Sequence, residues 1–144
     1  MQIEFVAGFS PIVRDPAASR AFYADALGIP FEDTGGDYVF ADKLPGSKHL
    51  GLWPLAEAAQ ACFGTTEWPA DVPVPQATIE FEVANADAVA AAAGELEARG
   101  YQLIHPARTK PWTQIIARLL SPEGLLIGVC YYAPWHHGNP NTSA

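Results

Sequence analysis

The sequence is short of several things, and each shortage excludes something. Only 8 of its 144 residues are Lys or Arg, against 16 Asp or Glu, which leaves a net charge of −8. Nucleic acids and anionic membrane surfaces are held through clusters of basic side chains, so neither is expected as a partner. The acidic balance favours a cationic or neutral ligand only weakly, because a surplus of carboxylates also serves plain solubility. Two cysteines, Cys62 and Cys130, are too few for a disulfide framework and lack metal-type spacing, which fits a reducing compartment. No run approaches the roughly 18–20 consecutive apolar residues of a membrane span, and the N-terminus has no basic segment leading into an apolar one. A soluble, cytoplasmic chain is expected. There is no Gly-rich phosphate loop, no Gly-x-Ser-x-Gly elbow and no Ser-His-Asp order of nucleophile, base and acid.

What is present is apolar mass, 49% of residues, enough for one globular domain or two small modules sharing a core. The chain then reads twice. Strand-like "IEFVAGFSPIVR" leads to "DPAASRAFYADALG", where Asp15 caps a helix, Pro16 takes its first position and Gly28 ends it. Strand-like "ATIEFEVA" leads to "NADAVAAAAGELEARG", with Asn85 as cap and Gly100 as stop. Apolar stripes run through Phe22, Tyr23, Ala26 and Leu27 in the first helix and Val89, Ala92, Ala93 and Leu96 in the second. Three strand-like pieces follow each helix: 29–32, 38–42 and 49–53 in the first half, 102–105, 114–120 and 125–132 in the second. The plan is an α+β fold of two βαβββ modules, repeated about 70 residues apart. The first covers about 3–55 and the second about 77–133. A proline-rich connector with room for one short helix spans about 56–76, and the tail 134–144, "PWHHGNPNTSA", reads as loose.

The helix "RDPAASRAFYADALG", its counterpart after "FEVANADAV" and the turn "SPEGLLIGV" together resemble the vicinal oxygen chelate superfamily, which includes glyoxalases, ring-cleaving dioxygenases and bleomycin-resistance-type binding proteins. The resemblance extends from about Ile3 to Tyr132. It implies that the two sheets curve into one cup with helices outside and a ligand or metal within. Metal-using members carry His, Gln or Glu on the first and last strands of each module. Counting seven residues back from Asp15 and Asn85 gives Gly8 and Thr78, and the last strands place Gly51 and Gly128. Three of these four are glycine, which cannot coordinate through a side chain, so no metal or other cofactor is expected.

Glycine inside a strand either makes room for a ligand or permits curvature and a bulge. The two-residue period then turns His49 and Trp53 inward with Gly51, Glu80 and Glu82 inward with Thr78, and Leu126, Cys130 and Tyr132 inward with Gly128, leaving Ile79, Phe81 and Val83 for the helix. Apolar walls with sparse polar groups suit a small ligand. In "RTKPWTQ", Trp112 resembles the Trp-Gly-Gln of metal-free drug-binding members, with Thr113 in place of glycine; it either stacks on a flat ligand or clamps a loop. Trp68 either touches ligand or seals the interface between modules. Glu80 is a general base, a partner for a cationic ligand, or a salt-bridge partner of Arg118 or Arg108. His49 and His105 are acid–base candidates or hydrogen-bonded scaffold. Cys130 reads as a small buried hydrophobe, and His136 and His137 carry no assigned role.

Two readings follow. The preferred one is a metal-independent protein that binds a small, flat or apolar, antibiotic-like molecule through Trp112, Trp53, His49, Gly51, Trp68, Glu80, Gly128 and Tyr132. The alternative is a glyoxalase- or dioxygenase-like enzyme with a displaced metal site or with acid–base chemistry on Glu80, His49 and His105. A regulatory dimer with a decayed pocket is a third. The resemblance and the poorly covered edges and helix faces imply a homodimer with two equivalent pockets.

Overall fold

The computed structural model describes residues 1–136. Strand β1 (Phe5–Val13) leads through the Asp15 cap, whose carboxylate accepts from the Ala18 N–H, into α1 (Pro16–Arg20). The cap, worth about 1 kcal/mol, and the proline at the first helical turn start the helix where expected. The helix then widens into a π-helical stretch, Ala21–Ala26, with the Leu27 N–H donating to the Phe22 carbonyl. The wider turn changes which side chains face the sheet: Tyr23 packs inward, while Phe22 and Leu27 are exposed. The expected apolar stripe of this helix is therefore corrected to Tyr23.

Three short strands follow: β2 (Glu32–Asp33), β3 (Val39–Ala41) and β4 (Leu50–Pro54). The first starts later than the expected residue 29 because Pro30 brings no N–H to a ladder. The connector supplies α2 (Leu55–Phe63), closed by Gly64 in the left-handed region. The second half repeats the order as β5 (Ala77–Glu82), α3 (Ala86–Ala98, capped by Asn85), β6 (Leu103–Thr109), β7 (Ile115–Leu120) and β8 (Leu126–Tyr131).

All eight strands form one mixed sheet in the order β2-β3-β4-β1-β5-β8-β7-β6. β1 and β5 pair antiparallel at its centre, Gly8 opposite Glu80 and Ser10 opposite Thr78. β4 runs parallel to β1, with Leu50 beside Phe9, and β8 runs parallel to β5, with Ile127 beside Ile79. The halves are thus related by a pseudo-twofold between Phe9 and Ile79, which makes Gly8 equivalent to Thr78, Ser10 to Glu80 and Gly51 to Gly128.

One face carries α1 and α3. Tyr23 and Phe31 pack on Val13, Val39 and Leu52, and Val89, Ala92 and Ala93 pack on Val83, Ala117 and Val129. Between the helices no described element covers that face: Val6 and Phe9 are 55% and 41% exposed, and Ile79 and Phe81 are only half-buried rather than packed against a helix. The opposite, concave face is filled at both ends. At one end α2 lays Ala58 and Cys62 on Ile12 and Leu126, with Trp53 and Leu120 alongside. At the other, Ala7, Ile116 and Cys130 are covered by Phe5 and Trp135.

The first residues of the tail are ordered rather than loose. Ala133–Trp135 form a 3-10 turn, and His136 Nε2 donates to Glu82 Oε2 at 2.8 Å. Glu82 is fully buried, also accepts from the Tyr132 N–H at 2.6 Å, and has its carboxyl pushed up by that burial. His137 lies outside the described residues.

Candidate functional site

The middle of the concave face lies between the two plugs, and its register is simple. Gly8, Glu80, Gly128 and Arg118 stand in one row across β1, β5, β8 and β7. The two glycines flank Glu80. A Cβ on Gly128 would lie 2.6 Å from Ile116 Cδ1 and 3.2 Å from Glu80 Cγ. One on Gly51 would lie 2.8 Å from Ser10 Oγ and 2.9 Å from the Tyr38 ring. The room these glycines make is taken up by side chains of the same chain. They admit neighbouring side chains, because a β-carbon there would occupy the same volume.

The hairpin between β6 and β7 sets the rim. The Thr113 N–H donates to Lys110 O and the Lys110 N–H to Gln114 O, both at 2.8 Å, around a turn whose second residue is Pro111. This is a turn followed by a left-handed residue, and Thr113 holds φ at 74° where glycine is the usual occupant. The loop leaves Trp112 48% exposed. Its indole N–H donates to Gln114 Oε1 at 2.8 Å, and Gln114 Nε2 in turn donates to Glu80 Oε1 at 3.4 Å. Arg118 Nη2 reaches Glu80 Oε2 at 3.5 Å from the other side, while the Trp53 ring lies 4.8 Å from the guanidinium carbon. Of Glu80's proposed partners, Arg118 is the one the structure provides.

On the facing wall, His49 stacks on Phe40 with ring centroids 5.5 Å apart. Its Nδ1–H donates to Asp42 Oδ1 at 2.6 Å, and its Nε2 accepts from the Tyr38 hydroxyl. Burial pushes Tyr38 well above the usual phenol range, and the carboxylates of Glu80 and Asp42 add to this, so the hydroxyl keeps its proton.

The structure thus brings together Trp112, Trp53, His49, Gly51, Glu80 and Gly128. It does not bring in the other candidates. Trp68 packs edge-on to Phe63 and donates its indole N–H to the carbonyls of Val72 and Pro73. It lines a separate surface cleft of about 650 Å³ with Arg14, Asp37, Leu55 and Val74. Tyr132 sits edge-on to Trp135 in the plug. Leu126 and Cys130 are fully buried beneath the two plugs. His105 is buried on β6, its Nδ1–H donating to Pro106 O at 2.7 Å and its pKa pushed down to about 4, first by burial and then by Lys110, Arg118 and Arg108. We place the site in the cup rather than in the cleft because buried polar groups converge there.

Sequence reasoning missed Tyr38, Ser10, Asp42 and Gln114. Tyr38 and Phe40 share a two-residue period, so aligning β3 with β4 would have set both beside Gly51.

The fit to a divalent ion is poor. Gly8, Gly51 and Gly128 offer no donor, both ring nitrogens of His49 are engaged, and Glu80 faces a guanidinium. Among the described residues no three His, Cys, Asp or Glu side chains converge.

Residues 9–129 match the family model "Glyoxalase/Bleomycin resistance protein/Dioxygenase superfamily". The chain belongs to this superfamily. Among curated proteins none matches it. Solved structures show where the superfamily fold recurs. A superfamily member from Vibrio splendidus 12B01 is 18% identical with a TM-score of 0.55, covering 89% of this chain and 98% of its own. A methylmalonyl-CoA epimerase variant from Streptomyces coelicolor, in complex with 2-nitronate-propionyl-CoA, is 16% identical with a TM-score of 0.54, covering 92% and 96%. A structure described as an NAD-dependent benzaldehyde dehydrogenase from Legionella pneumophila is 14% identical with a TM-score of 0.57, covering 86% and 96%. At these identities the likeness is one of fold alone. In this superfamily member β1 and β5 pair within the chain, so the row Gly8–Glu80–Gly128–Arg118 is complete in one protomer.

Proposed function

We propose that this chain binds a flat small molecule in the middle of its cup without a resident metal, a chemistry suited to sequestering an antibiotic-like compound. The observation that carries the reading is the orientation of Trp112. Its ring is half-exposed at the rim, yet its N–H is tied to Gln114, which is tied to Glu80. An aromatic plane fixed in this way stacks on a conjugated ligand with little ordering cost. The four positions that metal-using relatives fill with donors are Gly8, Gly51, Thr78 and Gly128, which supports a metal-free site.

We infer a homodimer as well. The bare strip at Val6 and Phe9, with Phe22 and Leu27 exposed on the same side as α1, supports a protein contact better than a solvated surface. The cytoplasm is the compartment that two free, buried cysteines suit.

The test is a screen of flat aromatic compounds read by tryptophan fluorescence, with metal analysis of the same sample. The expected result is a saturable ligand and no stoichiometric divalent ion. One bound ion per chain would overturn the metal-free reading.

A further inference from the structure

The Arg118 guanidinium is 1% exposed, and its bonding is incomplete. Among the described residues only Nη2 has an acceptor, Glu80 Oε2 at 3.5 Å, while Nε and Nη1 are buried with no partner there. Two further buried polar atoms on the concave face lack a partner among the described residues, Thr78 Oγ1 and His105 Nε2. His105 lies opposite Arg118 in the β6–β7 register. A buried cation without acceptors costs several times more than an unpaired neutral group, so such a constellation persists when something else completes it.

The surroundings say what that something is. A guanidinium presents its N–H groups as a planar fork that matches two oxygens of a carboxylate or phosphate. The Trp53 ring under it at 4.8 Å holds the plane in place. Lys110 and Arg108 stand on the same hairpin, Lys110 donating to the Ala61 carbonyl of α2 at 2.9 Å and Arg108 lying exposed. Against these, Glu80 is shared with Gln114 and makes only long contacts. At 15% side-chain exposure it is also the more accessible member of the pair. Arg118 is thus a desolvated cation whose one carboxylate neighbour, among the described residues, is held at long range.

We propose that the ligand of this cup carries an oxyanion, and that Arg118 receives it through Nε and Nη1 while Trp112 covers the flat part of the molecule. This rests on the binding reading above and specifies its ligand class. The acidic surface does not steer such a ligand in. Selection comes from a desolvated cation, so affinity depends little on ionic strength.

The test titrates benzoate, benzamide and inorganic phosphate into the wild type, Arg118→Gln and Arg118→Lys, by calorimetry and tryptophan fluorescence. Benzoate should bind the wild type about tenfold or more tighter than benzamide, with little change on adding salt. Arg118→Gln should remove that preference, so that benzoate binds no tighter than benzamide. Arg118→Lys keeps the charge but loses the fork, and should retain only part of the preference; it serves if the glutamine variant does not fold. Phosphate binding that depends on Arg118 would also support an oxyanion site and mark phosphoryl compounds as its natural source. Equal binding of benzoate and benzamide, with Trp112→Ala weakening both, would overturn the oxyanion inference and leave the pocket reading standing. No binding of any probe would overturn both.

Discussion

Arg118 reaches Glu80 across a strand that puts no side chain between them. The two residues lie on β7 and β5, and the intervening position on β8 is Gly128. The empty place is shared with Ile116, whose Cδ1 lies 2.6 Å from where a Cβ would stand. Gly128→Ala should therefore destabilise by about 1–3 kcal/mol through overpacking. Ile116→Val removes the clashing methyl, so in that background the same substitution should cost about 1 kcal/mol less. Urea denaturation of the two singles and the double gives the coupling. Strictly additive costs would show that the glycine is not there for Ile116.

The strained turn at the rim makes a second prediction. Thr113 is β-branched and sits at φ 74°, where an L side chain costs on the order of 1–2 kcal/mol. Thr113→Gly should raise stability by about 0.5 kcal/mol after the added freedom of the unfolded chain is counted. Thr113→Ala keeps a β-carbon and should gain less. If alanine gained as much as glycine, the strain would lie elsewhere.

His105 makes the third. In the unfolded chain its imidazole takes a proton near pH 6.5, in the folded chain only near 4. Between those values protonation favours the unfolded chain. The stability His105 supplies is full above about pH 6.5 and is lost as pH falls toward 4, by about 3 kcal/mol in all. His105→Gln should flatten the stability curve over that window. Parallel curves for variant and wild type would contradict the assignment.

The caps were legible because they are local. Asp15 and Asn85 each accept from the N–H three residues on, a contact that needs no knowledge of the rest of the chain. Once the caps were set, counting back from them found equivalent register positions in Gly8 and Thr78. The occupants of the cup were not legible in the same way. Tyr38 fills the place beside Gly51 through a strand pairing, and α2 reaches Leu126 from more than sixty residues away in sequence. Such contacts depend on where elements dock, which periodicity within one segment does not encode. The π-helical widening that exposes Phe22 and Leu27 was hidden for a similar reason, since the stripe was drawn at the ordinary helical period.

Trp112 gives a fourth prediction. Among the described residues its one side-chain hydrogen bond is to Gln114 at the half-exposed rim, so Trp112→Ala should change unfolding free energy by less than about 1 kcal/mol. Ligand affinity should fall roughly tenfold to a hundredfold. Unfolding of the variant, or unchanged affinity, would make Trp112 a clamp.

The bare strip gives a fifth. Val6→Glu with Phe9→Glu should leave the protomer folded, because both side chains point to solvent. Sedimentation should show a dimer for the wild type and a monomer for this variant. A wild-type monomer at micromolar concentration would end the dimer proposal.

The pseudo-twofold between Phe9 and Ile79 relates backbones but not charges. Strand register makes Ser10 the counterpart of Glu80 and Phe40 the counterpart of Arg118. Two identical half-chains meeting at such an axis would present a ligand with the same side chains after half a rotation. Because both halves are one polypeptide, each side has been free to diverge. The cup consequently has a head and a tail, with an acid and a guanidinium toward β7, a hydroxyl and a phenyl ring toward β3. A molecule turned end for end in such a cup would meet different chemistry at each end.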